Sequence, residues 1–238
     1  AAINAGIHAS RGEFVLFGNA DLFLVESYTD ELLSFLDHHP RAGCAGGKLL
    51  RYELDADVKT SAIDSAGLLM GRNRRALVRG EGETDGVRFD DPQELFGLDG
   101  AGLCIRRSAL ESIRIDEEYL DESFFMYKED WDLCWRLRLA GWECWYFPNA
   151  LAYHGRTARS LGSKRYLSAI RSFHQNARAK SDSVRIHAMK NQWLMLVKNE
   201  DRYNFVRDFP FILAREAMVV THNLLFAPRA TRTKPSTW

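Results

Sequence analysis

Glu129, Asp130 and Asp132 place three carboxylates within four residues, directly before the run Leu133–Ala140, and aromatic residues surround them: Phe124, Phe125, Tyr127 and Trp131. The run is apolar at helical spacing, and Gly141 stops it. The stretch therefore marks the N-terminal end of a helix. Backbone N–H groups in a first turn favour a carboxylate in its charged form. Asp130 has two readings at this point, a helix cap or a general base aimed into a cleft.

A chain of 238 residues can bury one core, or one core with an appendage. Apolar residues at 46% and charged residues at 27% describe a globular protein, not a disordered one. Cys44, Cys104, Cys134 and Cys144 form no CxxC pair, and each lies in an apolar run. They read as buried thiols of a reducing compartment, not as a disulfide framework or zinc knuckle. With no signal-peptide pattern and no run of about 18 apolar residues, the expectation is a chain that neither spans a bilayer nor enters the secretory route by itself.

Charge is balanced overall but divided along the chain. Residues 1–155 carry 16 Lys and Arg against 27 Asp and Glu; residues 156–238 carry 16 against 5. Acidic groups in the first part suit a divalent cation. Basic groups in the second suit phosphates or an anionic membrane surface, or simply neutralise the first part.

In chain order, Ala1–Ala9 reads as a short helix with Ile3 and Ile7 one turn apart, and Glu13–Gly18 as a buried strand ending near Asn19-Ala20-Asp21. A helix, a glycine turn, an apolar strand and an acid at its carboxyl edge is the order of an open α/β sheet, whose ligands bind at that edge. Asp21 is a metal candidate there, or a plain turn residue. Tyr28–His39 predicts a helix, Ala42–Leu50 a strand and Ile63–Met70 a shorter strand; 71–92 predicts a long mobile loop. Gly97–Arg107 is a glycine-rich turn leading into a strand, with neither P-loop nor dinucleotide-binding spacing. Trp142–Phe147 predicts a strand and Pro148-Asn149 a turn before His154. Asp21 and His154 are ligands that suit Mn2+ or Mg2+ beside diphosphate oxygens. Segments 160–180, 182–198 and 201–220 predict helices, the last broken or kinked at Pro210 and suited by its aromatics and arginines to a membrane surface or to packing on the body or a second subunit.

Taken together, these stretches resemble the family-2 inverting glycosyltransferases of GT-A fold, and among them the rhamnosyltransferase-like members. The resemblance rests on Asn4-Ala5-Gly6-Ile7, Gly12–Phe17, Asn19-Ala20-Asp21, Gly100-Ala101, Ile105-Arg106-Arg107, Leu120–Leu133, Arg136, Gly141-Trp142, Pro148-Asn149-Ala150 and His154. It implies an α/β, Rossmann-like open mixed sheet with flanking helices over 1–155 and a helical extension over 156–238. It also implies that Asp21, last acid of a DxD segment whose first position is Asn19, and His154 bind the metal, and that Asp130 is the general base with Glu129 beside it. Gly100, Ala101 and Asn19 line the sugars; Tyr127, Trp131 and Asp132 are further substrate-binding candidates, the aromatics by stacking. The implied partners are a nucleotide-diphosphate sugar and a saccharide or lipid-linked acceptor, with membrane contact and self-association as candidates and no nucleic acid. The implied place is the cytoplasm, at the inner face of the cell membrane. Relatives begin with a strand and acidic segment that hold base and ribose; residue 1 falls after that point, so the expectation is a longer natural protein. The competing expectations are a sugar nucleotidyltransferase and a truncated, non-catalytic sugar-binding or assembly module.

Overall fold

The computed structural model describes residues 2–155 and 182–226. They divide into two compact units: Ala1–Leu69, Ala76–Ser123 and Glu129–Arg159 form the first, and Met70–Arg75, Phe124–Lys128 and Ser160–Trp238 belong to the second.

The first unit is a mixed sheet between helices. Its spine is β1 (Phe14–Leu16), β8 (Leu103–Arg106), β3 (Ala42–Glu53), β9 (Glu143–His154) and β2 (Leu22–Leu24), in that spatial order. β4 (Val58–Ser65) pairs with β3 and β7 (Gln93–Leu95) with β9. Only β3 and β9 run parallel; every other pairing in this sheet is antiparallel. Side chains alternate across the strands, as a period of two requires. Cys44, Leu103, Ile105, Cys144 and Tyr146 enter one core, and Ala45, Cys104, Ala150 and Ala152 the other. Helix α2 (Tyr28–His38) covers the second core with Leu32, Phe35 and Leu36. Helices α1 (Ala2–Ala9), α3 (Arg107–Ser112) and α4 (Glu129–Leu139) cover the first with Ile7, Leu110, Leu133 and Leu137. This is the expected α/β architecture.

Two polar side chains act as braces. Asn4 is buried on α1; its amide donates to the Leu120 carbonyl at 2.8 Å, and its oxygen accepts from the Tyr119 and Leu120 N–H groups. Tyr28 donates its hydroxyl to the Gly102 carbonyl at 2.5 Å and accepts from the Gly47 N–H. A Cβ on Gly47 would stand 2.0 Å from the Ala150 carbonyl oxygen, so only glycine lets β3 and β9 approach there.

Three local expectations are corrected. The 71–92 segment is tied down: β5 (Leu68–Met70) pairs with β6 (Ala76–Val78), Phe89 is buried, and Lys48 donates to Asp85 and Asp90 at 2.9 and 2.8 Å. Pro148-Asn149 makes no turn; β9 continues through it, with a register shift opposite Gly46/Lys48. Of the two outcomes expected at Pro210, the break does not occur: the last described helix passes through it.

In the second unit, α5 (Asp182–Asn199) and α6 (Arg202–Phe226) are the described helices, and 160–180 lies outside the described residues. Arg74, buried and left-handed at φ 56°, pairs with Glu200 and, at 3.0 Å, with Asp208. Both carboxylates are buried with it, so a charged hub ties the end of α5 to α6. The outer side of α6 is apolar, with Tyr203, Val206, Phe209, Phe211 and Leu213 exposed. No described helix is long and apolar enough to cross a membrane.

Candidate active site

Two groups of polar side chains meet at one edge of the first unit, and Asn19 belongs to both. The first group lines a cleft: Asn19, Asp99, Gly100, Ala101, Glu129 and Asp130, over a floor that includes Phe17, Leu103 and Leu133. Five of these six polar or backbone positions are those expected from sequence; Asp99 is new. Asp99 precedes a short 3-10 turn, Gly100–Gly102, and caps it by accepting from the Ala101 N–H at 3.1 Å. Tyr28 holds the far end of the same turn through the Gly102 carbonyl.

Asp130 lies in the first turn of α4. Its Oδ1 accepts from the Trp131 N–H at 2.9 Å, and its Oδ2 from the Gly100 N–H at 3.4 Å. The helix amide favours the ionised form, as expected from sequence, but it does not win. Burial, then the charges of Asp99 and Glu129, hold the Asp130 carboxyl well above the usual carboxylate range. Burial also raises Glu129, and one of its carboxylate oxygens is buried with no partner among the described residues. A crowded, partly unsatisfied acid group in a cleft is the condition under which a ligand hydroxyl is welcome.

The second group centres on His154, the last residue of β9. β2 pairs with that strand, placing Leu22 opposite His154 and so bringing the preceding residue, Asp21, to the ring. Asp21 Oδ1 lies 3.3 Å from His154 Nε2, and the Asn19 amide 3.4 Å from the same nitrogen. On the other side, Nδ1 faces Asp64 Oδ2 at 2.9 Å. Asp64 is completely buried on β4, and Arg51 stands 3.8 Å from its other oxygen. Burial lowers the His154 pKa; the hydrogen bond to Asp64 and the charges of Asp64, Asp21 and Asp99 outweigh it, and the net shift is upward.

This donor set fits a divalent cation. A carboxylate oxygen and an imidazole nitrogen 3.3 Å apart can share one ion at about 2.1 Å from each. Nδ1–H donated to a buried carboxylate fixes the tautomer that leaves Nε2 free to ligate. Asp64→Asn is accordingly expected to weaken Mn2+ binding about 10–100-fold, read by calorimetric titration with thermal melting as the fold control. Affinity equal to that of the parent would remove Asp64 from the site.

Two expected substrate contacts are corrected. Trp131 is buried and stacks on Phe96 with ring centroids 5.5 Å apart, so it is a core residue. Asp132 is buried and ion-paired with Arg136 at 2.9 Å; Arg136 in turn donates to the Ile113 and Tyr119 carbonyls. That carboxylate orders the core rather than a sugar. Tyr127 is half-exposed in the second unit and is not among the cleft-lining residues.

Asp99 and Asp64 escaped the sequence reading. An acid inside a run such as Ile63-Asp64-Ser65-Ala66 was the available signal, because a carboxylate in a buried strand needs a partner. A third cluster lies beneath α4: the sulfurs of Cys44, Cys134 and Cys144 stand within 4.8 Å of one another, a group that could hold a metal ion. All three are free and buried. Hydrogen bonding among the thiols, then burial, holds Cys44 above the ordinary thiol range, which keeps it neutral in the core.

Comparison with known proteins places these features in context. Residues 1–178 match the family described as Glycosyltransferase like family 2. The N-acetylglucosaminyl-diphospho-decaprenol L-rhamnosyltransferases of Mycobacterium tuberculosis strains CDC 1551 / Oshkosh and ATCC 25618 / H37Rv are 34% identical over 157 residues, covering 63% of this chain and 49% of theirs. The uncharacterized protein y4gI of Sinorhizobium fredii (strain NBRC 101917 / NGR234) is 30% identical over 162 residues, covering 65% of this chain and 16% of its own. The chain thus spans about half the length of the mycobacterial relatives and less of the third. Among solved structures, that of GalNAc-T7 with UDP, GalNAc and Mn2+ superposes with a TM-score of 0.50 at 11% identity, over 65% of this chain and 30% of the other. That likeness shows the fold: GT-A-like, with a mixed sheet flanked by helices.

Proposed function

The chain belongs to glycosyltransferase-like family 2, and on that premise we propose that it carries the catalytic centre of an inverting glycosyltransferase, moving a sugar from a nucleoside-diphosphate donor to an acceptor hydroxyl. One observation carries the reading: Asn19 joins a cleft holding Asp130, Glu129 and Asp99 to the Asp21–His154 pair. A base site and a cation site then adjoin, as single-displacement transfer from a diphosphate requires.

In this reading Asp21 and His154 hold Mn2+ or Mg2+, with His154 aligned by Asp64. The bound cation would neutralise the donor diphosphate and make it a better leaving group. Asp130 removes the proton from the acceptor hydroxyl as that oxygen attacks the anomeric carbon from the opposite face. Its Oδ1 is occupied by the Trp131 N–H, so Oδ2, with only the long Gly100 contact, is the oxygen that receives the proton. The unsatisfied Glu129 oxygen accepts from another acceptor hydroxyl and orients it. Gly100 and Ala101 present backbone without bulk against the sugars. An elevated carboxyl pKa makes Asp130 a stronger base once ionised, nearer the operating pH where general bases work best.

This gives a pH signature. The rate should rise as pH rises through the elevated Asp130 value, because only the carboxylate can accept the proton. Asp99→Asn removes a nearby negative charge, makes ionisation of Asp130 easier, and is expected to move the acid limb of kcat/KM to lower pH. A limb that stays in place would dissociate it from Asp130.

For substrates, the named activity of the mycobacterial relatives supports a deoxyhexose donor, rhamnose first, and a polyprenyl-diphosphate-linked saccharide acceptor. The exposed apolar side of α6 supports peripheral contact with the inner face of a membrane, where such an acceptor resides. The test is calorimetric binding of a nucleotide-sugar panel to the natural protein with Mn2+, Mg2+ or EDTA. One donor bound with metal and released by EDTA is the expected result. No donor bound under any condition would leave the non-catalytic module as the reading.

A further inference from the structure

Directly before Glu129 the backbone adopts a conformation that side chains disfavour. Phe125, Tyr127 and Lys128 all have positive φ, 60°, 65° and 71°. Three non-glycine residues in the left-handed region within four positions persist only where the surroundings over-determine them. Within the second unit, one side chain gathers the backbone of this segment. Asn191 of α5 is completely buried, and its amide nitrogen lies 2.9, 2.7 and 2.7 Å from the carbonyl oxygens of Phe124, Met126 and Tyr127. Two amide hydrogens are thus shared among three carbonyls that the left-handed turns have pointed at one spot.

The rest of the surroundings agree. The next residue, Gln192, accepts from the Lys128 ammonium and donates to the Arg74 carbonyl at 3.0 Å. The Lys198 ammonium sits 5.1 Å from the centre of the Phe124 ring. The oxygen of the Asn191 carboxamide is itself buried without a partner among the described residues. Burying an unsatisfied acceptor is unfavourable. This residue is therefore suited to its place by its donor end, and a merely space-filling role would be better served by Leu.

We propose that Asn191 is a positioning residue for the transfer reaction. By gathering the three carbonyls it fixes the strained 124–128 segment, whose last peptide bond leads into Glu129 and Asp130. The conformation of that segment sets the direction from which the chain enters α4, and so the aim of the base. The inference rests on the reading of Asp130 as that base.

The experiment compares Asn191→Ala, Asn191→Ser and Asp130→Asn in the natural protein, with kcat, donor KM, pH profile and thermal melting. Asn191→Ala is expected to lower kcat roughly 10–100-fold, as a misplaced catalytic group does, with donor KM little changed and the acid limb displaced. Asn191→Ser keeps one donor in less volume and should fall between Ala and the parent. Phe125→Gly in the Asn191→Ala background relieves one strained position and should recover part of kcat. Parental kcat in Asn191→Ala, with Asp130→Asn inactive, overturns the positioning role and leaves the base intact. An active Asp130→Asn overturns the base itself. A kcat loss that tracks lost melting temperature across both Asn191 variants, with no displaced acid limb and no recovery by Phe125→Gly, reduces Asn191 to a structural residue and also overturns the proposal.

Discussion

Asp130→Asn is expected to abolish transfer, lowering kcat on the order of 10²–10⁴-fold, while the protein melts at the same temperature or higher. The first half follows from the chemistry: an amide cannot accept the acceptor's proton. The second follows from the surroundings. Burial and the neighbouring Asp99 and Glu129 disfavour the Asp130 carboxylate in the fold. A carboxyl whose folded pKa is raised makes the native state less stable as pH climbs above the ordinary carboxylate value. Neutral Asn removes that burden. The gain should be seen at neutral pH and vanish in acid, where Asp130 is protonated whether folded or not. Comparison of kcat and melting curves between pH 4 and 8 makes the check. Near-parental turnover would sink the base assignment; a destabilised protein at neutral pH would sink the electrostatic account.

Asp21→Ala is expected to cancel the gain in donor affinity that Mn2+ confers. Donor titrations with metal and with EDTA should then coincide. The loss in metal affinity should exceed the roughly 10–100-fold typical of an outer partner such as Asp64, because Asp21 offers the ligand oxygen itself. His154 remains held by Asp64 at 2.9 Å, so the strand end and the fold should survive the change. Retention of the full Mn2+ response would place the cation elsewhere.

Local sequence carried the reading furthest where function depends on a turn. Asn19, Gly100, Ala101, Glu129 and Asp130 each sit at the end of an element, and the structure brings all five to one cleft. Trp131 and Asp132 show the limit. Successive helical residues turn by about 100°, and the two residues after Asp130 on α4 are carried away from the cleft. Both point into the core instead. Asp64 was illegible for another reason: its partner lies 90 residues on, and they meet because β3 takes β4 on one side and β9 on the other. The turn expected at Pro148-Asn149 failed because β9 pairs with β3 on both flanks of it, up to Tyr146 and again from Leu151, and tertiary pairing overrode local preference. The 71–92 loop failed for a similar reason, since Lys48 and its two aspartates come from separate parts of the chain.

The place of β9 in the sheet bears on how the molecule is made. It lies between β3 and β2, both synthesised some hundred residues earlier. Pairings of such long sequence separation form late and slowly. A nascent chain that has emerged only to α4 therefore has β2 and one side of β3 without their central neighbour, and Asp21 without its histidine. The proposed cation site is therefore among the last parts of the first unit to form, and a ribosome-bound chain short of His154 leaves open strand edges for a chaperone to cover.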